Sequence, residues 1–365
     1  MNSKLIQISL SLLLMCLCKA HGNEKKNNNG FMITKSNRLL SELENDKAGV
    51  ESHEDQPVYK DQPIYKEQPV YEEQSNYEVV VKDKNGNPVD KNNLKNDIKI
   101  AFIDLDGTLL NSRYKLSKLN LESLAKAHNK GIKIVFATGR PFYSVNYTIG
   151  KVVKQNNLSL MPGIYLDGCI AYGPNGERIS DNYMDEKLVM DIYNFSKENN
   201  LLRRMFWCSL EKMHTFEINE YTGEYLRIEP IMPDVIDEET LKNTKIYKIL
   251  IRLDKENLSS VIKMYQEKFS DRISVANTFK TYMELFNPNT NKFESVKELC
   301  KHFDISLDDA LAIGDGDNDI EMLQGVGTSI AVQNAPSKIK ECAKYVAPSN
   351  DNDAVHHALQ TFCDI

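Results

Sequence analysis

Ile100-Ala101-Phe102-Ile103-Asp104-Leu105-Asp106-Gly107-Thr108-Leu109 decides the reading of this chain. An apolar run delivers two aspartates, two positions apart, into a glycine turn. Continuous apolarity suits a central parallel strand covered on both faces, and Asp-Gly-Thr is where such a strand should stop. Open α/β sheets bind ligands at the carboxyl ends of their strands. Two carboxylates held there can divide the work: one ligates a hard cation or attacks an electrophile, the other moves a proton. Taken alone, the segment also reads as a strand closed by a polar turn.

Two more apolar runs end in the same manner. Ile132-Lys133-Ile134-Val135-Phe136-Ala137 enters Thr138-Gly139-Arg140, and Ala310-Leu311-Ala312-Ile313 enters Gly314-Asp315-Gly316-Asp317-Asn318-Asp319. Three buried strands ending in small, hydroxyl or carboxylate residues would converge on one sheet edge. Between the second and third lies Lys292, followed by a helical pattern over Phe293 to Phe303. In this order the set resembles the four motifs of the haloacid dehalogenase (HAD) superfamily: DxDGT, a Thr, a Lys and GDxxND. The match runs from Lys99 to the C-terminus, and Ala331-Val332-Gln333-Asn334-Ala335 is similar to the Cof-type sugar-phosphatase subfamily. The resemblance implies an α/β fold: a Rossmann-like core with a parallel sheet flanked by helices, and an inserted α+β cap of C2 type.

Roles follow from the resemblance and from the needs of phosphoryl transfer, where charge on the equatorial oxygens must be met by positive and hydrogen-bonding groups. Asp104 is the candidate nucleophile, forming an aspartyl-phosphate. Asp106 would protonate the leaving alcohol and then deprotonate the hydrolytic water, which calls for a carboxyl able to hold a proton near neutrality. Thr138 would hydrogen-bond a phosphoryl oxygen, as would backbone amides after Asp104 and around Gly139. Lys292 would pair with Asp104 and offset phosphoryl charge. Gly107, Gly139, Arg140 and Asn318 complete the expected phosphate-binding set, Asn318 orienting either the phosphate or Asp319; Arg140 also reads as a helix-start residue with a surface partner. Asp315 and Asp319, with Asp104 and the backbone carbonyl of Asp106, would hold one ion. All-oxygen ligation with few protein carboxylates suits Mg²⁺ better than Zn²⁺.

Other readings are narrowed by the same residues. A helix-loop-helix calcium loop counted from Asp315 would need Gly and Glu where Ile320 and Val326 stand. Dehalogenases of this fold lack the proton-donating Asp at the position of Asp106, and no hydrophobic span suggests an ion pump. A phosphomutase or phosphotransferase stays open, as does an exported binding protein with an idle fold. The expected substrate is a small phosphorylated metabolite, sugar phosphates favoured by resemblance.

Roughly 150 positions separate Thr138 from Lys292, far more than one helix and one strand need. The surplus places a cap at residues 182–285, inserted into a core of 98–181 and 286–365. Within it, helical patterns cover Glu186 to Asn199 and Glu256 to Phe269. Strand patterns cover Leu202 to Cys208, Met213 to Ile218, Lys245 to Arg252 and Ile273 to Ala276. Arg203, Arg204, Trp207 and Glu217 read either as leaving-group contacts or as a solvated strand edge and a core aromatic. Where the subfamily has Asn-Gly after the third core strand this chain has Asp167-Gly168; a turn survives the change, an amide contact with substrate does not.

The first hundred residues follow different rules. Met1 to Ala20 carries an apolar Leu5 to Leu17 before Cys18-Lys19-Ala20, a secretory signal too short to span a bilayer comfortably. Residues 21–97 read as a disordered linker. Arg38-Leu39-Leu40-Ser41-Glu42 resembles the R-x-L-x-E export element of malaria-type parasites, which implies secretion and export into a host cell. Residues 55–78 repeat with period six (Asp55-Gln56-Pro57-Val58-Tyr59-Lys60 and three variants). Proline in that period blocks helix and the polar load prevents a core, so an extended spacer is expected, with a protein partner for its tyrosines as the alternative. With 45 basic against 52 acidic residues and no basic stripe, nucleic acid is not an expected partner, nor is a membrane for the mature form. Five cysteines beyond the signal (Cys169, Cys208, Cys300, Cys342, Cys363) are widely spaced without CxxC, which suits neither a disulfide framework nor a zinc site.

Overall fold

The structure is a computed structural model that describes residues 80–90, 94, 97–278 and 281–365. The candidate signal (1–20), export element (38–42) and hexapeptide repeat (55–78) lie outside the described residues. Strands that are apolar on both faces must be covered on both sides, and this rule organises the first sheet. It is built from β1 (Lys82–Asp83), β2 (Ile100–Ile103), β3 (Lys133–Ala137), β4 (Gly163–Tyr165), β5 (Ile170–Tyr172) and β6 (Arg178–Asp181). The second sheet interrupts it with β7 (Met205–Cys208), β8 (Met213–Thr215), β9 (Asp234–Val235), β10 (Lys248–Arg252), β11 (Ser274–Thr278) and β12 (Tyr282–Phe286). The chain then returns through β13 (Ala310–Gly314), β14 (Thr328–Val332) and β15 (Tyr345–Ala347).

The first sheet has the order β1-β15-β14-β13-β2-β3-β4-β5-β6. Its six central strands, β15 to β4, are parallel; β1 and β5 run antiparallel to them, and the edge strand β6 pairs antiparallel with β5. Every residue of β2, β13 and β14 is buried, as a two-faced parallel strand requires. The helix Lys118–Asn129 starts where Ser117 accepts a hydrogen bond from the Asn120 amide, and it buries Leu121, Leu124 and Ala127.

The second sheet has the order β11-β12-β10-β7-β8-β9 and follows a strict two-residue alternation. Met205, Trp207, Ile249, Ile251, Met283 and Leu285 face a core made with the helices Glu186–Glu198 and Lys255–Phe269. Their neighbours Cys208, Lys248, Leu250, Glu284 and Phe286 face the opposite way and line a cavity. The expected strand Leu202 to Cys208 begins three residues later, at Met205: Asn200 takes a positive φ of 57° and Leu202–Arg204 form a 3₁₀ turn. Two short helices, Glu220–Tyr225 and Glu238–Lys242, carry no apolar period long enough to betray them in sequence.

Candidate active site

Four parallel strands end side by side, and each delivers a functional group. β2 leads to Asp104, β3 to Thr138, β4 to Asp167 and β13 to Asp315. Backbone bonds fix the spacing: the Asp104 amide donates to the Ile313 carbonyl (3.0 Å), the Thr138 amide to Ile164, and the Asp167 amide to Thr138. Lys292 arrives from outside the sheet as the first residue of the helix Lys292–His302, whose Asn291 cap accepts from the Glu294 amide. Gly168, at φ +93°, lets that helix approach, since a β-carbon there would lie 2.2 Å from the Asn291 carbonyl oxygen. Gly107, at φ +81°, does the same for the acidic loop: its β-carbon would lie 2.3 Å from the Asp315 carboxylate.

Asp104, Asp315 and Asp319 bring carboxylate oxygens within 4.8 Å of one another. The Lys292 Nζ, fully buried, donates to Asp104 Oδ1 (2.7 Å) and Asp319 Oδ1 (2.8 Å). Asp319 uses its other oxygen to accept the amides of Asp315 and Gly316, both at 3.0 Å, which ties down the loop after β13. Burial works against the Lys292 charge, but Asp104 and Asp319 outweigh it and raise its pKa. The same burial pushes Asp104 well above the usual carboxylate range, with Lys292 opposing and Asp319 and Asp315 adding to the rise. Asp315 is pushed up to about 6 by burial and by Asp319. With all three carboxylates ionised, as metal ligands must be, one ammonium leaves an excess of two negative charges. An all-oxygen set with that surplus fits a hard divalent cation.

The two cations on either side are also engaged. Arg140 grips Asp106 with a two-pronged pair, Nε to Oδ2 at 2.6 Å and Nη2 to Oδ1 at 2.7 Å. It therefore sits on the candidate acid–base group, where a phosphate contact was expected of it. Glu229 lies behind, accepting a short bond from Ser144 Oγ and standing 3.9 Å from Arg140 Nη1, and burial raises its carboxyl. Lys248, from β10, donates to Asp167 Oδ2 (2.6 Å) and to Glu284 Oε2 (3.0 Å). Asn318, an exposed residue, donates its Nδ2 to Asp167 Oδ1 (2.7 Å), so its amide is turned to Asp167 where a contact with the phosphate or Asp319 was expected. Burial disfavours the Asp167 charge, yet Lys248, Lys292 and Asn318 hold it down at about 2.

Thr138 is buried, and its Oγ1 accepts the Arg140 amide (3.1 Å), which leaves its own hydroxyl proton to donate. Gly139 meets the second sheet, its carbonyl 3.4 Å from Lys248 Nζ. Asp317 is exposed and pairs with Lys338. Asp104, Asp106, Thr138, Gly139, Arg140, Lys292, Asp315 and Asn318 all line one cavity of about 850 Å³, the size of a small-molecule site. Arg203, Arg204, Trp207 and Glu217 do not line it: the arginines pair with Glu217, Glu220 and Asp254, and Trp207 is fully buried in the second core. Asp167, Lys248, Glu229 and Glu284 were not anticipated as site residues. The only signal for them is a charged residue in an otherwise apolar alternation, such as Lys248 before Ile249-Leu250-Ile251.

The sequence profile of the haloacid dehalogenase-like hydrolases matches residues 101–359. The chain belongs to that family. Among curated relatives, a chloroplastic endoribonuclease, YBEY of Arabidopsis thaliana, is 30% identical over 280 residues, 72% of this chain. The match spans 46% of that relative, so this chain covers about half of its length. The phosphatase YwpJ of Bacillus subtilis is 26% identical, covering 72% of this chain and 99% of the relative. Among solved structures, a HAD/COF-like protein from Plasmodium vivax is 29% identical with a TM-score of 0.68 over 74% of this chain and 96% of that one. A HAD subclass IIB sugar phosphatase shares the fold at 22% identity and a TM-score of 0.62, over 73% of this chain and 100% of that one. With relatives named as phosphatases, this hydrolase is a phosphatase of the HAD type.

The Lys248 pair gives a stability test with a defined sign. Asp167 sits at about 2 in the folded state, below the roughly 3.9 of an unfolded Asp. Its contribution is therefore complete above about pH 4 and is lost as pH falls towards about 2. Lys248→Met strands Asp167 and Glu284 as unpaired buried carboxylates. The expected cost at pH 7 is about 3–5 kcal/mol in urea unfolding, shrinking below about pH 4 as the stranded groups take up protons. An unchanged midpoint at pH 7 would show that the pair stabilises nothing.

Proposed function

We propose that this phosphatase hydrolyses small phosphorylated metabolites, sugar phosphates foremost, with Mg²⁺ and through an aspartyl-phosphate on Asp104. The observation that carries the reading is the surplus of negative charge where Asp104, Asp315 and Asp319 surround Lys292, at a cavity of about 850 Å³. Asp104, Asp315 and Asp319 would hold the ion, and when bound it would offset charge on the phosphoryl oxygens. The sugar-phosphate preference is supported by the likeness to the Cof-type subfamily and to the sugar phosphatase.

The chain's own residues then divide the reaction. An Asp104 carboxylate oxygen attacks phosphorus, a new P–O bond forms and the bond to the leaving oxygen breaks. Asp106 gives that oxygen a proton, for which its carboxyl must release at least one of the two Arg140 bonds that hold both its oxygens. Asp106 next takes a proton from water; the water oxygen bonds to phosphorus, the Asp104–phosphorus bond breaks and orthophosphate leaves. Lys292 and the Thr138 hydroxyl stand beside the phosphoryl oxygens and stabilise their charge. The second sheet and its helices act as a cap, excluding water while the ester is cleaved.

Orthophosphate release from a panel of phosphorylated metabolites is expected to require Mg²⁺ and to stop with a chelator. Asp104→Asn should lower kcat by about 10³-fold or more while the protein stays folded. Activity near that of the unmodified enzyme, or formation of a phosphate isomer in place of orthophosphate, would contradict the reading.

We also propose that the protein is secreted and exported, with cleavage at the leader over residues 1–20 and within Arg38–Glu42. The support is sequence alone. N-terminal sequencing of the mature protein from its native cells should place its first residue at or beyond Leu40; a chain that still begins at Met1 would refute both steps.

A further inference from the structure

The basic side chains that line the cavity, among the described residues, are Arg140, Lys248 and Lys292. Each is already matched: Arg140 by Asp106, Lys248 by Asp167 and Glu284, and Lys292 by Asp104 and Asp319. One positively charged group faces two carboxylates in every case, since Arg140 Nη1 also stands 3.9 Å from Glu229 Oε2, so the walls hold no cation to spare. Two buried polar atoms in the same lining are in the opposite condition. Glu229 Oε1 and Thr290 Oγ1 have no hydrogen-bond partner, although Glu229 is 7% and Thr290 5% exposed. A buried polar atom left without a partner is costly, and a bound ligand is what would satisfy these two. Much of the remaining wall from the second sheet is apolar, with Cys208, Met213, Tyr225, Leu250 and Phe286.

We propose that the cavity selects phosphate monoesters whose leaving group carries hydroxyl or amine donors and no second anion, with Glu229 Oε1 accepting one of those donors. The selection rests on the monoester hydrolysis proposed above. A carboxylate or second phosphate on the leaving group would meet Glu229 and Glu284 with every lining cation already taken. Like charges brought together in a desolvated site are strongly disfavoured, by a factor of about ten or more in affinity. An amine gains what the carboxylate loses, because it meets Glu229 as a counter-charge. Glu229 is thus a specificity residue, and it comes from the segment between β8 and β9, away from the motif residues of the first sheet.

Three esters with one ring and one phosphate position separate the cases: glucose 1-phosphate, glucosamine 1-phosphate and glucuronate 1-phosphate. With the full chain and Mg²⁺, kcat/KM for glucuronate 1-phosphate should be lower than for glucose 1-phosphate by about tenfold or more, and glucosamine 1-phosphate at least equal to glucose 1-phosphate. Glu229→Gln keeps an acceptor oxygen and removes the charge. It should raise the glucuronate-to-glucose ratio and lower the glucosamine-to-glucose ratio; using ratios cancels any general loss of kcat from disturbing Arg140. Equal use of the glucuronate and glucose esters by the unmodified enzyme would overturn the proposal, as would ratios that Glu229→Gln leaves unmoved. If none of the three esters, nor p-nitrophenyl phosphate, releases orthophosphate, the hydrolysis reading itself has failed and the selection falls with it.

Discussion

A buried ammonium must be neutralised where it sits, and Lys292 is fully buried with its Nζ held between Asp104 and Asp319. That requirement ties together three parts of the chain. Asp104 ends β2, Asp319 follows β13, and Lys292 opens a helix that reaches the sheet only because Gly168 has no side chain. Asp319 also anchors the loop after β13 by accepting two of its amides. Remove the ammonium and three carboxylates face each other; remove Asp319 and both the loop and the lysine lose their hold. The residual negative charge is what would let the cluster hold a divalent cation.

The second sheet answers a different constraint. Its alternation sends one set of side chains into a core around Trp207 and the other toward the first sheet. Leu250 and Cys208 can sit on that second face at little cost, but Lys248 and Glu284 cannot be buried there unpaired. Lys248 pairs with Glu284 and also with Asp167, which follows β4 of the first sheet. An ionic link in the cavity lining thus joins the sheets, beside the hydrogen bond from Tyr247 to Asp181 and apolar packing. The Asp167 carboxylate gives Lys248 a counter-charge that an asparagine amide would lack.

The first sheet was legible because its chemistry is local. Four of its central strands, β2, β3, β4 and β13, are largely apolar runs that lead into a functional side chain, and period and motif coincide at Asp104, Thr138 and Asp315. The neighbours of those residues were less legible. Arg140 follows Thr138-Gly139 in sequence, but its hold on Asp106 depends on how two loops fold over each other. Asn318 spends its amide on Asp167, a partner 151 positions away. Glu229 belongs to a segment with no periodic pattern, and Lys248 looks in sequence like a charged residue at a strand's start. Their roles come from tertiary pairing across the cavity, which spacing along the chain does not encode.

Locating a divalent ion tests the account most directly. Crystals grown with Mn²⁺ in place of Mg²⁺ would show it by anomalous scattering. The account predicts one peak about 2.0–2.3 Å from carboxylate oxygens of Asp104 and Asp315, beside Asp319 and with Lys292 still paired to Asp104. No peak at that cluster, or a peak held by other carboxylates of the cavity, would contradict it.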